Sequence, residues 1–289
     1  MVAAAAQGGG PVSLLYIPEI LTPLRFTPLY AGLSHSDKVA YNQLHGLYFL
    51  EQTIFFEQVM GRPALDQLIA LAPNAELRRE AVDFAAEEDA HSSWFRALLQ
   101  EVDPQSYQNS DWNLLRPPRI LRGALVLAAR GIRWLPALLW LQLMSEERAV
   151  YFGRAYLAQA EDIDPRFLAV QRQHLADEPS HIRRDELFIQ WLWTATPAWR
   201  RQLNARWLHW LVREFFYLPK RSGWRVVECW LATRPHLQRR RGEFRQAMQA
   251  LATNQTYLRT LYPRRHLPRT AALGALWPEL SFFDQLLTP

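Results

Sequence analysis

Residues 84–91 read Phe84-Ala85-Ala86-Glu87-Glu88-Asp89-Ala90-His91, and residues 174–181 read His174-Leu175-Ala176-Asp177-Glu178-Pro179-Ser180-His181. Each stretch holds an acidic residue followed directly by Glu-x-x-His. Three residues are about 300° of α-helical turn, so the carboxylate and the imidazole share one face, one turn apart. One such motif arises readily by chance. Two, each inside a different long helical segment, are much rarer. The flanking chain carries helical periodicity nearly throughout, with no Asn-Gly or Asp-Gly hairpin signal.

Working outward, the first motif lies in a predicted helix over about 74–102. The second lies in one over about 165–194 that Asp164-Pro165 opens. Ser34, Ser36 or Asp37 can cap an earlier helix running to about residue 60, where Gly61-Arg62-Pro63 breaks it. A third helical region covers about 119–160, with a break between Gly131 and Pro136. Residues 1–33, punctuated by Pro and Gly, read as an extended arm. Four long helices in two consecutive pairs predict an all-α four-helix bundle over residues 34–195. Further helices over 197–218, 222–233 and 241–261, then an irregular tail over 262–289, would pack on the same domain.

The 289 residues contain a single cysteine, Cys229. That excludes a disulfide scaffold, a cluster held by four thiolates and a cysteine-based zinc site. Any metal must be held by the 8 His and the 28 Asp and Glu. The net charge is +5, carried almost wholly by arginine; Lys38 and Lys220 are the only lysines. An arginine-rich exterior could serve an anionic partner such as a carrier protein or a CoA thioester, but no nucleic-acid motif is present. The apolar stretch Ile120 to Met144 is long enough to cross a bilayer. Arg122, Arg130, Arg133 and Pro136 make that costly, so it reads as buried helix rather than a membrane span. The N-terminus lacks the basic region of an export signal, and a cytoplasmic location is expected.

Glu-x-x-His on two helices, with one more Glu from each of the other two, is the ligand set of di-iron carboxylate bundles. An internal repeat proposes the remaining pair. Glu51-Gln52-Thr53-Ile54-Phe55-Phe56 aligns with Glu147-Arg148-Ala149-Val150-Tyr151-Phe152. The separations are 88 − 51 = 37 and 178 − 147 = 31. Glu57 would match the second spacing, since 88 − 57 = 31. The repeat sets Gly153 opposite Glu57, which favours Glu51. Glu146, about 100° of turn from Glu147, is the competing choice in the second copy. Both preferred glutamates sit among apolar residues, where burying them without cations would be very unfavourable. His174 shares a stripe with Glu178 and His181. Its counterpart in the first copy is Phe84, so the site would be asymmetric, with an extra nitrogen ligand unless His174 is simply a core histidine.

This doubled pattern, with His-x-x-x-Glu-x-x-His in the second copy, resembles the p-aminobenzoate N-oxygenase type of ferritin-like di-iron oxygenase. The resemblance covers about residues 40–195. It implies a ferritin-like bundle holding two iron ions, through Glu51, Glu88, His91, Glu147, His174, Glu178 and His181. It also implies O2 as co-substrate, oxygenation of an arylamine or related amine in a biosynthetic pathway, and an external reductase or ferredoxin-type electron donor. Glu87 and Asp177 would hydrogen-bond imidazoles of a neighbouring helix. Two departures stand out. Glu87 replaces an expected Asp, and Pro179 between two ligands predicts a kink or π-bulge. Tyr151 could line the oxygen pocket or simply pack. Arg154 and Arg183 could anchor a substrate carboxylate or lie at the surface. The alternatives on the same fold are C–H hydroxylation or desaturation of a carrier-protein- or CoA-linked substrate, and a non-catalytic iron-binding bundle. A homodimer is compatible with either.

Overall fold

Ser34 opens the first long helix by accepting the Asp37 amide at 3.2 Å, and Asp37 places its charge in the first turn. The computed structural model that shows this describes residues 14–213, 221–261 and 263–287. Helix α1 (His35–Phe55) passes into a π-helical turn, Phe56–Gly61, and continues as α2 (Arg62–Leu71). The expected break at Gly61-Arg62-Pro63 is therefore a widened turn. Pro63 falls in the first turn of α2, where its missing N–H costs little. Helix α3 (Ala75–Val102) starts at Asn74, whose side chain accepts the Leu77 amide at 2.8 Å. Helices α4 (Arg119–Arg130) and α5 (Ala137–Ala158) are separated at the Gly131-to-Pro136 break. Asp164 caps α6 (Pro165–Ala195). Then follow α7 (Ala198–Leu211), α8 (Arg221–Ala232), α9 (Arg241–Ala250), α10 (Gln255–Leu261) and α11 (Pro268–Gly274). About four-fifths of the chain is helical with no strand among the described residues, so the fold is all-α.

Helices α1, α3, α5 and α6 form the bundle. Helix α6 packs along α5 and α3, and α3 packs on α1. Phe49 on α1 meets Phe152 on α5 with ring centroids 5.0 Å apart. At Gly153 the two helices α5 and α6 nearly touch: a Cβ there would lie 3.0 Å from Leu175 Cβ.

The apolar core is divided in two. Ile54, Phe55, Phe95, Tyr156, Phe167 and Leu168 belong to one cluster. Ala64, Leu65, Phe84, Leu143, Met144, Phe188 and Ile189 belong to the other. On every bundle helix the chain crosses from one cluster to the other through a few buried polar residues: Glu57, Glu88 and His91, Glu146, and His174 to His181. The polar layer thus lies between two hydrophobic blocks that hold its helices in register.

Several expectations give way here. Residues 165–195 form one α-helix through Pro179, and the π turn lies instead at Phe56–Gly61. Residues 14–33 of the arm are not simply extended: short helical turns at Pro23–Phe26 and Pro28–Ala31 bury Leu24 and Tyr30, while residues 1–13 lie outside the described residues. Asn42 ties it down, accepting the Tyr16 and Ile17 amides at 2.8 and 3.2 Å and donating to the Ile17 carbonyl. The Ile120-to-Met144 stretch is not wholly buried, because Ile120, Leu127 and Trp134 face outward. The tail carries α11 and further short turns. The helix expected over 197–218 is described as far as residue 213; residues 214–218 lie outside the described residues. Among the described residues no helix is long and apolar enough to cross a membrane.

Candidate metal centre

Within the polar layer, seven side chains converge. Ligand-type atoms of Glu57, His91 and His174 lie within 4.8 Å of one another; so do those of Glu88, His91 and His181, and of Glu146, Glu178 and His181. All seven residues are buried. His174 Nε2 lies 2.8 Å from Glu178 Oε1 and 3.7 Å from Glu57 Oε1. His181 Nδ1 lies 3.3 Å from Glu88 Oε1 and 3.6 Å from Glu146 Oε2.

Glu51 and Glu147 are not in this group, and the reason is visible in their partners. Glu51 accepts the Tyr107 hydroxyl at 2.7 Å and the amides of Asn113, Leu114 and Leu115. Its charge is spent holding the connection before α4. Glu147 accepts the amides of Arg269 and Thr270 at 2.6 and 2.9 Å, and the Thr270 hydroxyl at 2.7 Å. Those amides are the N-terminus of α11, so Glu147 caps a helix. The π turn brings Glu57 to the layer, and Glu146, one residue before Glu147, occupies the corresponding place on α5.

Electrostatics single out the cluster. Burial drives Glu57, Glu88 and Glu178 well above the usual carboxylate range, and neighbouring carboxylates push the same way. Burial also opposes charge on Glu146, but His181, Glu178 and His174 beside it outweigh that, and Glu146 stays below that range. Burial, then the His91 ring, pulls His174 down to about 3. Both oxygens of Glu178 and the Nδ1 atoms of His91 and His181 are buried without a well-formed hydrogen bond, although His174 Nε2 lies 2.8 Å from Glu178 Oε1. Leaving such atoms unpaired costs about 1–3 kcal/mol each. Cations placed among them would satisfy all of them together, with four carboxylates to balance two divalent charges.

A family model described as the p-aminobenzoate N-oxygenase AurF matches residues 11–259. The chain belongs to that family. It is a di-iron N-oxygenase, an oxidoreductase. The match extends well beyond the stretch from about 40 to 195 that carries the sequence resemblance. No curated protein matches the chain.

Around this AurF-family centre the outer nitrogens of two histidines are held crosswise. His91 Nε2 on α3 lies 3.1 Å from Asp177 Oδ2 on α6, and His181 Nε2 on α6 lies 3.0 Å from Glu87 Oε2 on α3. Arg184 grips Glu87 with two nitrogens and reaches Glu80 with its Nε at 3.1 Å. Burial would raise the Glu87 pKa, but the Arg184 guanidinium holds it below the usual range. Sequence reading missed Arg184, although it lies on the same α6 stripe, three residues past His181.

A cavity of about 40 Å³ opens onto the carboxylate side. Phe56, Met60 and Gly61 of the π turn form one wall, and Leu141, Gln142 and Ser145 of α5 form the other. The space admits a few water-sized molecules. Tyr151 does not line it; its ring lies against His266 with centroids 3.9 Å apart. Arg154 is exposed, and Arg183 pairs with Glu80 at 2.8 Å. Asp185, one turn past His181, is a further buried acid that sequence reading passed over. Both its oxygens lack partners, and burial with the Glu146 and Glu147 charges drives it well above the usual range.

Proposed function

We propose that Glu57, Glu88, His91, Glu146, His174, Glu178 and His181 hold two iron ions, and that the protein uses O2 to oxygenate the nitrogen of an arylamine or related amine. The setting is a biosynthetic pathway in the cytoplasm, with electrons from an external reductase or ferredoxin-type donor. The observation that carries the ligand assignment is the set of buried, unpaired atoms on Glu178, His91 and His181, all aimed into one layer. When bound, the iron pair supplies the electrons and open coordination positions at which dioxygen is reduced and one oxygen atom is passed to nitrogen.

The chain's own groups have separable tasks. Asp177 and Glu87 each accept an Nε2–H, which fixes the tautomers of His91 and His181 and turns their Nδ1 lone pairs inward. Arg184 keeps Glu87 charged for that purpose. His174 presents Nε2 to the layer from the same stripe as Glu178, which gives one half of the centre more nitrogen than the other. Glu57 is aligned by the Ser92 hydroxyl, which donates to Oε2 at 2.5 Å. The apolar wall of the cavity keeps water low around the carboxylates.

The test is a single turnover of the iron-loaded, reduced protein with 18O-labelled O2 and an arylamine. A labelled hydroxylamine, nitroso or nitro product is expected. A ring-hydroxylated product, or no product from an iron-replete sample, would overturn the reading.

A further inference from the structure

Helix α4 is apolar on two faces. Leu125, Ala129 and Ile132, just beyond its end, are buried in the molecule. On the other side, Ile120, Ala124 and Leu127 recur at i, i+4 and i+7, a single helical stripe, and Trp134 lies beyond its end in the turn that follows the helix. Ile120 is 89% exposed, Leu127 73% and Trp134 61%. Helix α7 repeats the arrangement with exposed Trp199, Leu203 and Trp210. The two stripes meet at Arg200, whose guanidinium lies 4.2 Å from the Trp134 ring centroid and 5.4 Å from that of Trp199.

The segments that carry these stripes hold charge of one sign. Residues 112–145 and 187–213 contain no Asp or Glu. Arg119, Arg122, Arg130, Arg133 and Arg206 are exposed. None of the five forms an ion pair with a described residue; the neighbouring Arg201 is spoken for by Glu279. Pairing this face with a second copy of itself would set these five arginines against their counterparts, with no acid on α4 or α7 to offset them. Exposed Trp and Leu rimmed by unpaired Arg are complementary to an anionic lipid surface: the rings enter the headgroup region and the guanidinium groups reach lipid phosphates.

We propose that α4 and α7 form a peripheral docking face for anionic membranes. The orientation has a consequence for the centre, because α4 packs on the π turn that walls the cavity. This proposal does not depend on the ligand assignment.

The test is co-sedimentation of the full-length, iron-loaded protein with vesicles of phosphatidylcholine alone and of phosphatidylcholine mixed with phosphatidylglycerol, at low and high salt. Binding should appear with the anionic vesicles and weaken in salt. It should fall about tenfold or more for the double variant Arg119→Gln/Arg122→Gln, and likewise for Leu127→Gln/Trp134→Gln. All four residues are exposed, so circular dichroism and Tm should match the parent. No binding at low salt, equal binding to neutral vesicles, or unchanged binding by both variants would overturn the proposal. So would a concentration-dependent dimer that Leu127→Gln/Trp134→Gln abolishes, since that assigns the face to a second copy.

Discussion

A glutamate buried in an apolar helix can be satisfied in two ways, and this protein uses both within a few residues. Glu51 and Glu147 are surrounded by amide and hydroxyl donors. Glu57, Glu88 and Glu178 lie among other acids and imidazoles. From sequence the two kinds look alike, because the donors to Glu147 come from residues 269 and 270 and those to Glu51 from a connection without a motif. The Glu-x-x-His pairs and His174 were legible because regular α-helices preserve their spacing. Different consequences of mutation are expected. Glu57→Ala or Glu146→Ala should lower the iron content from about two per chain to one or fewer, while the apo protein keeps its helicity. Glu51→Ala should retain the metal yet lose about 3 kcal/mol or more of stability, because it strands several buried donors. Iron assay and thermal unfolding of the three variants separate these cases.

At the scale of elements, the π turn at Phe56–Gly61 was the hidden feature. Gly61-Arg62-Pro63 reads as a stop, yet a widened turn lets the helix continue and re-aims Glu57. The near-equal separations 88 − 57 = 31 and 178 − 146 = 32 were the available signal. The local repeat outweighed it because repeat alignment assumes unbroken helical register. Pro179 misled in the opposite sense, since α6 absorbs it without changing helix type. Where α5 and α6 approach most closely, Gly153 is required by space: a Cβ would lie 2.9–3.1 Å from three carbons of Leu175. Gly153→Ala should destabilise the protein by about 1–3 kcal/mol, and Leu175→Ala in the same chain should recover part of that loss. Denaturant unfolding of the single and double variants measures it.

For the whole molecule, a polar layer between two hydrophobic blocks makes stability depend on what occupies the layer. Without metal, Glu57, Glu88, Glu178 and Asp185 bind protons more tightly folded than unfolded, so they weaken the fold as pH rises. Buried His45 and His174, with pKa values pulled down to about 4 and about 3, act the other way, but only below their ordinary 6.5. Above that pH the acids act alone. The Tm of the apo protein should therefore fall from about pH 6.5 to 8, whereas the iron-loaded protein should show a smaller fall, its ligand carboxylates being ionised and compensated and Asp185 alone still binding a proton. Asp185→Asn should flatten the apo slope. A Tm of the apo protein that rises over this interval would contradict the protonation pattern. The all-α bundle and its helix pairs were legible from periodicity and caps. The packed N-terminal turns and α11 were not, because single contacts such as Asn42 to Ile17 and Glu147 to Thr270 fix them across long sequence separations.

The most direct measurement is anomalous diffraction from crystals of the iron-loaded protein, collected on both sides of the iron absorption edge. Two peaks are predicted, enclosed by Glu57, Glu88, His91, Glu146, His174, Glu178 and His181. One peak, no peak, or peaks beside Glu51 or Glu147 would contradict the account.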